Sequence, residues 1–85
     1  MKVFQYRIKD EVGIHARPAG MLVKEAKRFS SRITLECNVK TAEATKLMAI
    51  MGLGAGKGAA VTVKVEGPDE ETAAAAMEDF FHNNL

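Results

Sequence analysis

Apolar and polar residues alternate over Val3 to Ile8, with Phe4, Tyr6 and Ile8 on one side and Gln5 and Arg7 on the other. That period of about two residues predicts a half-buried strand. The spacing then lengthens: Ala19, Leu22, Val23, Ala26 and Phe29 recur at helical intervals from Pro18 to Phe29, which predicts an amphipathic helix ended by Ser30-Ser31. Ile33, Leu35 and Cys37 alternate with Thr34 and Glu36 as a second strand, and Asn38-Val39 turns into a short third strand at Lys40 to Glu43. Thr45 can cap a short helix from Lys46 to about Gly52, after which Gly54, Gly56 and Gly58 break the pattern. Val61, Val63 and Val65 alternate with Thr62, Lys64 and Glu66 as a fourth strand. Gly67-Pro68-Asp69 opens the last helix, with Asp69 as N-cap, Glu70 and Glu71 in the first turn, and Ala73, Met77, Phe80 and Phe81 as the inward stripe.

The order β-α-β-β-α-β-α predicts an α+β fold, a two-layer sandwich in which helices cover one face of an antiparallel sheet. No linker, repeat or low-complexity segment interrupts the 85 residues, which read as one domain over 1–85. The 47% hydrophobic and 27% charged composition suits a folded chain, and a net charge of +1 lacks the basic footprint of a nucleic-acid binder. A lone cysteine, Cys37, has no internal disulfide partner, and its place in the strand alternation makes it a buried thiol. With neither a signal peptide nor a membrane-length apolar run, the expectation is a soluble cytoplasmic protein without membrane insertion.

Candidate chemistry concentrates in Gly13-Ile14-His15-Ala16-Arg17-Pro18-Ala19-Gly20. Pro18 suits a first helical position, so His15 falls where unpaired backbone N–H groups and the positive end of a helix dipole converge. A phosphoryl group on that imidazole would meet the Ala16 N–H, the dipole and the Arg17 guanidinium together. A ring nitrogen of His15 is the candidate nucleophile. Gly13 permits a tight approach, Ile14 anchors inward, and Ala16 leaves room for a partner. A histidine before a helix is often a simple cap and an arginine there a solvated charge; their combination in this order favours the chemical reading. Nothing in the chain anchors a nucleotide or gathers carboxylates around magnesium, so the phosphoryl donor is expected to be another protein.

These residues resemble the histidine-containing phosphocarrier family, HPr, of the bacterial phosphoenolpyruvate-dependent sugar phosphotransferase system. The likeness runs over essentially the whole chain, through Gly-Ile-His-Ala-Arg-Pro-Ala and a second motif from Lys40-Thr41 through Lys46-Leu47-Met48-Ala49-Ile50-Met51 to Gly54 and Gly58. The resemblance implies strand order 1-4-2-3 in an open-faced sandwich. It also implies a carrier that is not itself a turnover enzyme, with His15 accepting a phosphoryl group on Nδ1 from enzyme I and passing it to the IIA domains of sugar permeases. Arg17 would be the phosphate partner. No cofactor is implied, since the group derives from phosphoenolpyruvate through enzyme I. Transcriptional regulators are further candidate partners, and a monomer is expected. In HPr proteins of many Gram-positive bacteria a regulatory serine begins the short helix; Lys46 stands there, which argues against control by phosphorylation at that position.

A second constellation is a docking face. Leu47, Met48, Ile50 and Met51 are too many apolar residues for one narrow stripe; Ile50 reads as core, and Leu47, Met48 and Met51 as a partner patch of adaptable side chains. Lys24, Lys27 and Arg28 would share a helix face beside Arg17 and steer acidic partners. Gly20 and the loop from Gly54 to Gly58 would let a partner approach closely.

Other motifs fail. Gly54-Ala55-Gly56-Lys57-Gly58-Ala59 is a loose dinucleotide fingerprint, but a strand follows it, and no Ser or Thr follows Lys57 as a nucleotide phosphate loop requires. His82, near an end expected to fray, forms no metal-ligand spacing with His15 and Cys37. Alternative functions are a regulatory HPr paralogue of a nitrogen-type branch, or an interaction module working through the Leu47–Met48–Met51 patch. A small-ligand or RNA-binding sandwich is more distant, because Phe4 and Tyr6 face the expected core rather than an open sheet.

Overall fold

The computed structural model describes residues 1–85. Its elements are β1 (Lys2–Arg7), α1 (Ala16–Ala26), β2 (Arg32–Cys37), β3 (Lys40–Glu43), α2 (Leu47–Met51), β4 (Ala60–Glu66) and α3 (Glu70–Asn84). The strands form one antiparallel sheet in the order β1-β4-β2-β3, as the family resemblance implies.

The valine alternation explains the central position of β4. Val61, Val63 and Val65 are fully buried; Val61 and Val63 face Tyr6 and Phe4 across the ladder to β1, and Val63 and Val65 face Leu35 and Ile33 across the ladder to β2. Each such side chain contributes about 1.5–3 kcal/mol by leaving water. Thr62 and Lys64 point to the uncovered face, where Gln5 Nε2 donates to Thr62 Oγ1 and Lys64 pairs with Glu36 at 2.7 Å. From the covered side, Phe81 of α3 is wholly buried and meets Phe4 and Tyr6 edge-on, with ring centroids 6.0 and 5.6 Å apart. Cys37 is buried, as its alternation predicts.

Several boundaries differ from the sequence reading. Helix α1 starts at Ala16 with His15 as its N-cap, so Pro18 is the third helical residue rather than the first. That position lies within the first turn, whose N–H groups have no helical acceptor, and proline costs no bond there. The helix ends at Ala26, and Phe29 joins the core through turns in which Lys27 and Phe29 amides donate to Val23 and Ala26 carbonyls. Thr45 is not the cap of α2. Lys46 holds the N-cap position without a side-chain bond, because the strand-to-helix turn closes one residue later than expected. Asp69 does stand at the N-cap of α3, but its carboxylate turns away from the helix and accepts from the Ser30 and Ser31 amides and the Ser31 hydroxyl. The carboxy end is also held: Leu85 is buried, and its main-chain carboxylate oxygen accepts the Lys9 and Asp10 amides at 2.6 and 2.8 Å.

Candidate functional site

The segment before α1 is shaped by its own backbone polar groups. Asp10 Oδ1 accepts the Val12 and Gly13 amides at 2.9 and 3.2 Å, closing a turn that a short carboxylate favours. Gly13 then takes a φ of 78°, and a Cβ there would overlap the Ala55 carbonyl oxygen and lie 2.6 Å from Gly56 Cα. Only glycine lets these backbones approach so closely. The Ile14 amide donates to the Ala55 carbonyl at 2.9 Å, and the Ile14 side chain is buried, so His15 leaves a fixed anchor.

His15 is half-buried, with extended backbone angles of φ −111° and ψ −172°. Its carbonyl accepts the Ala19 amide at 2.9 Å, the first bond of α1. Pro18 has no N–H, so the Ala16 and Arg17 amides are the free donors of this helix end, and neither has a partner within the chain. Arg17 is exposed and forms no ion pair. An anion beside the imidazole would therefore meet two backbone donors, the helix dipole and a free guanidinium. A cavity of about 290 Å³ opens beside His15 and Arg17, walled also by Asp10, Met21, Asn83 and Asn84.

The second constellation lies on α2, which packs against α1. Ile50 is fully buried, whereas Leu47, Met48 and Met51 are 40%, 76% and 37% exposed. Met21 adds an exposed thioether from α1. Lys24 and Lys27 are exposed and unpaired, but Arg28 lies beyond the helix, bonds Glu25 at 2.7 Å and covers the Phe29 ring. Arg28 is thus engaged locally rather than free to steer. A Cβ on Gly20 would meet nothing within 4 Å, leaving open space above the helix. Gly54 has a φ of 68°, and the Asn38 carboxamide donates to the Leu53 and Gly54 carbonyls. Nowhere do three His, Cys, Asp or Glu side chains converge in a way that could hold a metal ion.

A family model described as the phosphotransferase-system HPr component phosphorylation site matches residues 2–83. The chain belongs to the HPr family. Among solved structures it is similar to HPr from Thermoanaerobacter tengcongensis, with 41% identity over 98% of this chain and 93% of that one and a TM-score of 0.92. It is likewise similar to the histidine-containing phosphocarrier protein of Mycoplasma, at 35% identity over 96% and 93% of the two chains and a TM-score of 0.93. The catabolite repression protein Crh of Bacillus subtilis, described as a swapped dimer, matches at 31% identity over 94% and 92% with a TM-score of 0.78.

Within this HPr-family fold, sequence reasoning missed the residues that act through their backbones or across long separations. Ala55 contributes a carbonyl that any residue carries. Asn83 and Asn84 reach the His15 cavity from the other end of the chain. A polar pair at the end of an amphipathic helix carries no periodic signal, and only the packing of α3 against α1 and β1 places it there.

Proposed function

We propose that this chain carries a phosphoryl group on His15 between proteins of a sugar phosphotransferase system. The observation that supports this most directly is the free imidazole at the N-cap of α1, beside the partnerless Ala16 and Arg17 amides and the unpaired Arg17 side chain. A ring nitrogen of His15 attacks phosphorus as the bond between phosphorus and the donor, phospho-enzyme I, breaks. The phosphoryl oxygens then rest against the helix end and Arg17. In the second step a IIA domain of a sugar permease attacks the same phosphorus and His15 leaves. The chain ends each cycle unchanged and needs no cofactor, the group coming from phosphoenolpyruvate through enzyme I.

Both partners are proposed to dock on one surface. Leu47, Met48 and Met51 supply apolar contact, Gly20 and Gly54 supply close approach, and Lys24 and Lys27 supply steering charge. The reading takes a cytoplasmic monomer as the working form. The similarity to Crh favours a second reading, a regulatory paralogue whose phosphorylation or docking controls another protein. Lys46 has no hydroxyl, so we expect no stable labelling by a protein kinase at the start of α2; stable label on Thr45 with ATP and HPr kinase would contradict this.

The deciding experiment incubates the chain with phosphoenolpyruvate and purified enzyme I and reads intact mass. One acid-labile phosphoryl group, absent from His15→Ala, is expected, with subsequent loss to a IIA domain. Arg17→Ala should slow the transfer about ten- to hundredfold, the loss of one charge-assisted contact. A folded chain that stays unlabelled beside an active control overturns the carrier reading.

A further inference from the structure

Resting on the carrier reading of His15, we propose that the Asn83 carboxamide is a further donor to the phosphoryl group, acting from the end of α3 across the cavity beside His15. The polar groups of that cavity separate into engaged and unengaged sets. Asp10 Oδ1 is held by the Val12 and Gly13 amides. Asn84 Nδ2 donates to the Phe80 carbonyl at 3.0 Å, within its own helix. The Met21 side chain and Pro18 offer no N–H. Arg17 and Asn83 are left, two cavity side chains with N–H donors that bond nothing in the chain.

The electrostatics of the cavity give a neutral donor its value. Its two walls are opposite in sign: the start of α1 favours an anion, and the carboxy-terminal end of α3 disfavours one. The Asp10 carboxylate adds negative charge on the same side as α3. A phosphoryl dianion extending from His15 toward α3 would meet repulsion there unless the wall presents N–H groups. A carboxamide does so without altering net charge, whereas a carboxylate at the same position would repel the group. Asn83 is exposed, so it can turn toward the phosphoryl without repacking the core.

The test uses the whole chain and needs no partner enzyme. Potassium phosphoramidate phosphorylates histidine directly: a ring nitrogen bonds to phosphorus as the phosphorus–nitrogen bond of the reagent breaks, and ammonia leaves with a proton from solvent. Hydrolytic half-life of the acid-labile label and its 31P chemical shift are then compared for the wild type, Asn83→Ala, Asn83→Asp and Asn83→Gln. Loss of the donor in Asn83→Ala should shorten the half-life about three- to tenfold, the scale of the net contribution of an ordinary hydrogen bond made by an exposed side chain. Asn83→Asp should shorten it further, and Asn83→Gln should restore most of it, all with unchanged thermal midpoints. A half-life and shift in Asn83→Asp equal to those of the wild type would overturn the role of Asn83 alone. Absence of label on wild-type His15 would overturn the carrier reading, and this proposal with it.

Discussion

The Ile14 amide and the Ala55 carbonyl, joined at 2.9 Å, fix the point from which His15 projects. The bond couples the loop before α1 to the glycine-rich turn before β4, two segments without regular structure of their own. Around it, Lys57 pairs with Glu11 at 2.8 Å, and Arg7 donates to the Gly58 carbonyl at 2.7 Å. The exposed ion pair contributes little. The backbone contact at Gly13 decides the geometry, because it leaves no room for a side chain.

Gly13→Ala should therefore cost about 2–4 kcal/mol, combining an L-residue in a left-handed conformation with an overpacked contact. Urea denaturation reads the stability loss. The rate at which phosphoramidate labels His15 should fall as well, since the displaced anchor moves the imidazole away from the helix end.

Met48 is the most exposed of the α2 apolar residues and is remote from the core. Met48→Asp should weaken enzyme I and IIA binding by about five- to thirtyfold, the scale of a substantial interface contact. Direct labelling by phosphoramidate should stay at the wild-type rate. Equal partner affinity by calorimetry would remove the docking face.

Val39 has a φ of 57° and follows Asn38 at 53°, the paired positive values of a tight hairpin turn. A β-branched residue is strained there, and this one is fully solvent-exposed, so its side chain contributes no packing. Val39→Gly should stabilise the protein by about 0.5–1 kcal/mol, the relief of strain exceeding the added freedom of the unfolded chain. The expected readout is a thermal midpoint several degrees higher.

The Ser31 hydroxyl above all, then the Ser30 amide and, to a lesser extent, the Ser31 amide hold the Asp69 carboxyl below the usual carboxylate range, against the opposing effect of desolvation. Its folded-state value is lower than its unfolded one. The resulting stabilisation is complete above the ordinary aspartate value near 4 and disappears as the pH falls through the folded value. Asp69→Asn should therefore be less stable than wild type at neutral pH, and the two should converge in acid. Glu70, lowered chiefly by its bond to the terminal amine, titrates in the same direction and leaves part of the acid limb in the variant.

The sheet was legible because Val61, Val63 and Val65 alternate strictly against polar neighbours, and one buried face enforces that register. Strand order was not readable from periodicity; it followed from the family motif around His15. Helix limits were harder. Phe29 continues the stripe of α1 yet packs from a turn, and Thr45 looks like a cap although the chain turns one residue later. At the site, His15 and Arg17 stood out because imidazole and guanidinium flank a helix start. The Ala55 carbonyl left no trace, since its contribution is backbone chemistry that sequence does not vary. Asp69 was placed at the right position for the wrong bond: its carboxylate had two sets of amides within reach, and the Ser30-Ser31 turn took it.

The burial of Cys37 has a practical consequence. It is the single thiol of the chain, and the covered side of the sheet shields it from reagents in solution. A Gln5→Cys substitution on the uncovered side would introduce one addressable sulfur, on the face opposite the helices. A dye or a surface tether fixed there would leave the helical side free, so exchange of the protein between successive partners could be followed molecule by molecule.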